Sequence, residues 1–155
     1  MKILVAFILI ISLCILNGCK KSTNNSSESK SQWTILGHTY IADSTYFDNT
    51  NIDLAAADSA QDVASVSFNV KPSKSGKYTV VNAFNVGSPQ DLDSSQCAVN
   101  VDFATPIFYY STGTTGTVSV TISAGKLNIV FTDVSLKNAF NDSDSTYASG
   151  SLHEQ

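Results

Sequence analysis

Apolar and polar residues alternate with a period of two through much of the chain after residue 31. Residues 64–70 set Ala64, Val66, Phe68 and Val70 against Ser65, Ser67 and Asn69, and residues 96–103 set Cys97, Val99, Val101 and Phe103 against Ala98, Asn100 and Asp102. Side chains of a strand point alternately to its two faces, so each pattern predicts a strand with one buried face and one wet face. Residues 117–123 carry Val118, Val120 and Ile122 inward, Ala124-Gly125 turns the chain, and residues 126–131 bring back Leu127, Ile129 and Phe131. That is the signature of a tight hairpin. The apolar parity then moves to Val134 and Leu136, which predicts a β-bulge near Thr132-Asp133.

The remaining segments follow the same theme. Residues 32–42 read as one long first strand with Trp33 as a core anchor. The turn at residues 72–76, Pro-Ser-Lys-Ser-Gly, predicts that residues 64–70 and 77–86 pair as a hairpin, the second carrying Tyr78, Val80 and Phe84. Residues 86–95 form a loop, and residues 106–110, entered through Pro106, form an edge strand or a strand start. A polar loop at 138–145 precedes a last strand at 146–152. Only the alanines of residues 52–62 could hold a helical turn or two. Short strands, tight turns and no βαβ pattern predict an all-β fold, an antiparallel β-sandwich of about eight strands. The alternative is an up-and-down β-barrel.

The N-terminus follows a different pattern. After Met1 and Lys2, residues 3–16 are apolar except for Ser12 and Cys14, too short a run to span a bilayer comfortably and the shape of a signal-peptide core. Leu16-Asn17-Gly18-Cys19 follows, and this stretch resembles the lipobox of bacterial lipoprotein precursors. The resemblance implies that the Cys19 thiol receives a diacylglyceryl group, that residues 1–18 are cut away and that the freed amine is acylated. Two or more chains anchor a protein durably where one holds it marginally. In that family an Asp after the lipidated Cys retains the protein at the inner membrane; Lys20 stands there, which implies the outer membrane, facing either the periplasm or the exterior. Residues 20–31 contain no large apolar side chain and read with Cys19 as a flexible tether, leaving residues 32–155 as a single domain. Residues 116–131 also look like the paired strands of many small β-rich lipoproteins, a resemblance that carries no site residues.

Charge and cysteines narrow the partners. The chain has no arginine, and its domain sets five lysines against eleven aspartates, a surface that repels phosphate backbones and argues against nucleic acid. With Cys14 removed and Cys19 lipidated, Cys97 has no internal partner; it sits among the apolar positions of its strand and reads as a buried structural thiol.

No catalytic constellation emerges. The only histidines are His38, within the first strand, and His153, near the end, and no Gly-x-Ser-x-Gly elbow or phosphate loop occurs. Zinc spacing is absent, so neither a metal nor another cofactor is expected apart from the covalent lipid. Calcium is the residual metal: Asn49, Asn51 and Asp53 copy the first ligands of an EF-hand loop, but Leu54 and Ala60 stand where Gly and Glu are needed. Asp91 with Asp93, or Asp142 with Asp144, could join an irregular site, the competing reading being solvated turn aspartates. The suggestive feature is aromatic: Ile107-Phe108-Tyr109-Tyr110 places rings on both faces of the strand after Pro106, and Tyr109, Tyr110 and, in a loop, Tyr46 and Phe47 could form a platform for sugar rings. The expected function is a membrane-anchored, non-enzymatic binding or assembly module, with a glycan or an envelope protein as partner. A hydrolase, the last alternative, would need His38 beside a serine or carboxylate in a pocket.

Overall fold

The computed structural model describes residues 29–155. The expected signal segment, the lipobox-like stretch with Cys19, and the expected tether up to residue 28 lie outside the described residues.

Eleven strands form: β1 (Gln32–Ile35), β2 (His38–Ile41), β3 (Ser44–Asp48), β4 (Asp53–Ala57), β5 (Val63–Phe68), β6 (Gly76–Val80), β7 (Gln96–Phe103), β8 (Ile107–Ser111), β9 (Thr117–Ser123), β10 (Lys126–Asn138) and β11 (Asn141–His153). Two 3-10 turns, Ala83–Asn85 and Pro89–Asp91, interrupt the connection from β6 to β7. The strands make one sheet in the order β2-β1-β11-β10-β9-β6-β7-β5-β4-β3, antiparallel except for β6 with β7. Strand β8 fills the rest of the gap between the flanks by pairing with both β10 and β7. The fold is therefore all-β and sandwich-like: the flank containing β1, β11, β10 and β9 faces the flank containing β7, β5 and β4. Trp33, Phe131 and Ile129 from the first meet Phe68, Leu54 and Val99 from the second in one buried core. The terminal strands β2 and β3 are consecutive in sequence, and the chain passes between flanks at buried Ala42. They do not pair with each other, so the sheet does not close end to end as an up-and-down barrel; β8 instead joins β7 to β10 within it.

The alternating patterns after residue 95 behave as their spacing predicts. Ala124 (φ 51°) and Gly125 (φ 79°) make the two-residue turn between β9 and β10. The bulge lies where the parity shifts: the β10–β11 register jumps between Phe131 and Val134, and Asp133 takes φ 49°. The extra residue turns outward, so both Phe131 and Val134 enter the core.

Five expectations are corrected. Residues 32–42 are a hairpin of two short strands rather than one strand, because Leu36 (φ 54°) and Gly37 (φ 78°) reverse the chain. The alanine-rich segment is strand β4 rather than helix. It hydrogen-bonds to β3 on one side and β5 on the other, and that pairing overrides a weak local preference. Residues 64–70 and 77–86 do not form a hairpin: β5 pairs with β4 and β7, while β6 crosses over to β9. The polar residues 138–145 largely belong to the long β10–β11 hairpin, which reverses at Ala139 and Phe140; apart from the buried Asn138, their side chains lie towards solvent at a sheet margin, so polarity did not mark a loop. Strand β8 is interior rather than an edge, and of the two readings of Pro106 the strand start holds, since β8 begins at Ile107.

Candidate ligand-binding site

The connection from β6 to β7 arches over the outer face of β5, β7 and β8. Its first shoulder is held by Ser111, whose Oγ donates to the Val81 carbonyl at 2.7 Å and accepts from the Val99 amide at 3.1 Å. Asn82 then caps the first 3-10 turn, its Oδ1 accepting from the Phe84 amide at 3.0 Å. The second shoulder is tied to the end of β5: Asn69 Nδ2 donates to the carbonyls of Gln90 and Leu92 at 3.0 and 2.7 Å, and the Leu92 side chain is buried. Beneath the arch lies a cavity of about 330 Å³, at the small end of ligand sites.

Strand alternation builds its floor. Cys97, Val99 and Val101 fill the core, so Ala98 and Asn100 face the arch; Tyr109 turns inward, so Phe108 and Tyr110 face outward beside them. In the β7–β8 register Asn100 lies opposite Tyr110. The Phe84 ring stands on the arch 72% exposed, its centroid 5.4 Å from that of Tyr110 and tilted by 31°. Asn100 Oδ1 is buried with no hydrogen-bond partner among the described residues. Such an acceptor costs about 1–3 kcal/mol unless something donates to it.

A second unpartnered oxygen, Asp53 Oδ1, belongs to the same sheet face, where Asp53 lies opposite Ser67 of the cavity floor. Burial, and secondly the Asp48 carboxylate facing it across β3–β4, pushes the Asp53 carboxyl up to about 6.

The aromatic residues singled out from the sequence do not form one platform. Tyr110 lines the cavity, whereas Tyr109 is 2% exposed in the core with its hydroxyl donating to Asp144 Oδ2 at 2.7 Å. Burial and that carboxylate push the Tyr109 phenol up, and the hydroxyl together with the Asn138 amide holds Asp144 below the usual carboxylate range. Tyr46 and Phe47 belong to strand β3 rather than a loop. Tyr46 is exposed, and Phe47 packs half-buried against the core with Lys71 Nζ 4.7 Å from its ring centre. Adjacent residues of a strand face opposite sides, which splits each of these pairs. Phe108, part of the aromatic run, lines the cavity with Tyr110, whereas Phe84 and Asn100 were missed: Phe84 read as an inward strand residue, and only the loop signal Gly87-Ser88-Pro89 after it hinted at an arch.

Cys97 is wholly buried, and burial pushes its thiol up to about 12. His38 is exposed on β2, and His153 Nδ1 lies 2.9 Å from Asn128 Oδ1. Among the described residues no three His, Cys, Asp or Glu side chains converge as a metal site; Asp142 pairs with Lys137 at 2.9 Å. Nor, among them, is any helix long and apolar enough to cross a membrane. No protein-family model, no curated protein and no solved structure matches the chain.

Proposed function

We propose that this protein is an envelope lipoprotein, anchored through Cys19 to the outer membrane, whose domain binds a sugar ring beneath the β6–β7 arch without turning it over. The observation that carries the reading is the buried, unpartnered Asn100 Oδ1 beside the Phe84–Tyr110 ring pair. A pyranose answers both features: its C–H face packs on aromatic rings, and its hydroxyls donate to the Asn100 oxygen once that side chain turns it from its buried position into the cavity. An acidic ligand fits poorly. Asp91 belongs to the arch, Asp53 neighbours the floor, and the chain has no arginine to pair with an anion.

The test is titration of the detergent-solubilised protein with a panel of neutral sugars. Binding is expected to weaken about tenfold or more in Phe84→Ala and Asn100→Ala. Equal binding by wild type and both variants, or no binding across the panel, overturns the reading. For the anchor, lipid labelling of a Cys19→Ser variant is expected to vanish; continued labelling defeats the assignment.

A second reading, assembly by strand addition, is favoured by the margins of the sheet. Residues 141–147 of β11 extend beyond the stretch paired with β1, and Tyr147 there is exposed. Crosslinking in intact envelopes tests it: a partner joined through Tyr147 supports assembly, and none leaves the sugar site as the whole function.

A further inference from the structure

Phe108 lines a second depression besides the cavity under the arch. This one, about 420 Å³, is also lined by Asp102, Pro106, Ile107 and Phe140. The β7–β8 register relates the two. Tyr110 lies opposite Asn100 and Phe108 lies opposite Asp102, so one aromatic residue with one side-chain acceptor recurs two residues along the strands, a step of roughly 6.5–7 Å. The first pair is closed over by Phe84, which leaves Tyr110 7% exposed, and the second is more open. Each pair is flanked by a strongly exposed phenylalanine: Phe84 beside the first, and Phe140, 74% exposed, beside the second. Phe140 is not on a loose tip. The Ala139 amide donates to the carbonyl of Phe108 at 2.8 Å, and the Phe140 amide donates to Asn138 Oδ1 at 2.9 Å, which fixes the hairpin end against the shared ring.

From this repeat we infer that the site takes a linear chain of neutral sugars, with successive rings at the Tyr110–Asn100 and Phe108–Asp102 positions. This rests on the sugar-binding reading of the first cavity and adds to it a second subsite and a polymeric ligand. A repeating ligand is what a repeating ring-and-acceptor surface matches, and the Asp102 carboxylate accepts from hydroxyls while repelling uronic or sulfated residues. An extended peptide is the competing occupant; it would use the rings but leave the acceptors matched only through backbone amides.

The experiment titrates the detergent-solubilised protein with xylohexaose, cellohexaose, maltohexaose and chitohexaose, with their monosaccharides, and with a proline-rich decapeptide. The hexaose that binds is expected to bind at least about tenfold more tightly than its monosaccharide. Phe140→Ala is expected to remove most of that gain and leave monosaccharide binding unchanged, whereas Phe84→Ala weakens both. Asp102→Asn checks the acceptor separately, with a loss expected for the hexaose alone. Unchanged melting temperatures in the variants exclude misfolding, which the exposure of Phe140 makes a mild demand. Equal affinity for hexaose and monosaccharide, or a silent Phe140→Ala with a damaging Phe84→Ala, overturns the extended site and leaves the first cavity standing. Binding of the peptide in place of every sugar, or of no ligand, overturns the sugar reading and the extension together.

Discussion

Asp53 makes the fold weaker at neutral pH than its contacts alone would suggest. One of its carboxyl oxygens is buried without a partner, and the Asp48 carboxylate faces it across the β3–β4 pair. Both effects oppose ionisation and push the group up to about 6, burial first. The folded state then holds this proton more tightly than the unfolded chain, in which an aspartate titrates near 3.9. Stability supplied by the proton is present in full below about pH 4 and is lost as the pH rises towards 6 and beyond. The difference sets a ceiling of about 3 kcal/mol, and solvent screening of a partly exposed carboxylate reduces it to roughly 1–1.5 kcal/mol. Asp53→Asn keeps the shape and removes the charge. It is expected to stabilise the protein by about 1 kcal/mol at pH 7.5 and by almost nothing at pH 4. Urea unfolding of both proteins at pH 4, 5, 6 and 7.5 measures the difference directly, and taking the difference cancels the opposite trend from Asp144, held below the usual carboxylate range. A difference that stays constant with pH, or a variant less stable than wild type at pH 7.5, would refute the reasoning.

Three further expectations follow from single positions. Asn100→Leu removes an unpartnered buried oxygen and adds apolar volume on the cavity floor, so stability is expected to hold or rise by about 1 kcal/mol while sugar binding is lost; a large drop in unfolding midpoint would mean that Asn100 has a structural partner. Cys97 is expected to resist a thiol reagent at pH 8 in the native protein and to react fully in denaturant, because the buried thiol is pushed up to about 12; rapid native labelling would contradict its burial. Gly116 has φ +109°, and a Cβ there would lie 2.6 Å from Val134 Cα, whereas Gly125 has φ +79° with open space around it. Gly116→Ala is therefore expected to cost roughly 2–4 kcal/mol and Gly125→Ala about 1 kcal/mol, and thermal melts showing equal losses would discard the steric part of the account.

Where a prediction from the sequence held, a short-range rule was enough. The β9–β10 hairpin needs only two residues with positive φ between alternating strands, and the bulge at Asp133 needs only a change of parity before Val134. Where one failed, the answer depended on a distant strand. Ala55 and Ala56 look helical until β3 and β5 lie on either side of them, and Pro106 suggests an edge until β10 closes on the far side of β8. The candidate site shows the same division. Tyr110 was singled out because it is a ring in a strand, but its usefulness comes from Asn100 ten residues earlier and Phe84 on an arch anchored by Asn69.

By itself, then, the sequence determined an all-β domain behind a lipobox-like segment, with Trp33 and Cys97 inside and a surface poor in cations, because alternation, turn residues and charge act locally. The tertiary structure decided that eleven strands share one sheet, that Tyr109 is core while Tyr110 is site, and that an arch roofs the floor laid by β5, β7 and β8. Pairing between strands far apart in the chain sets those outcomes, and the spacing of residues along the chain does not encode which strand will become whose neighbour.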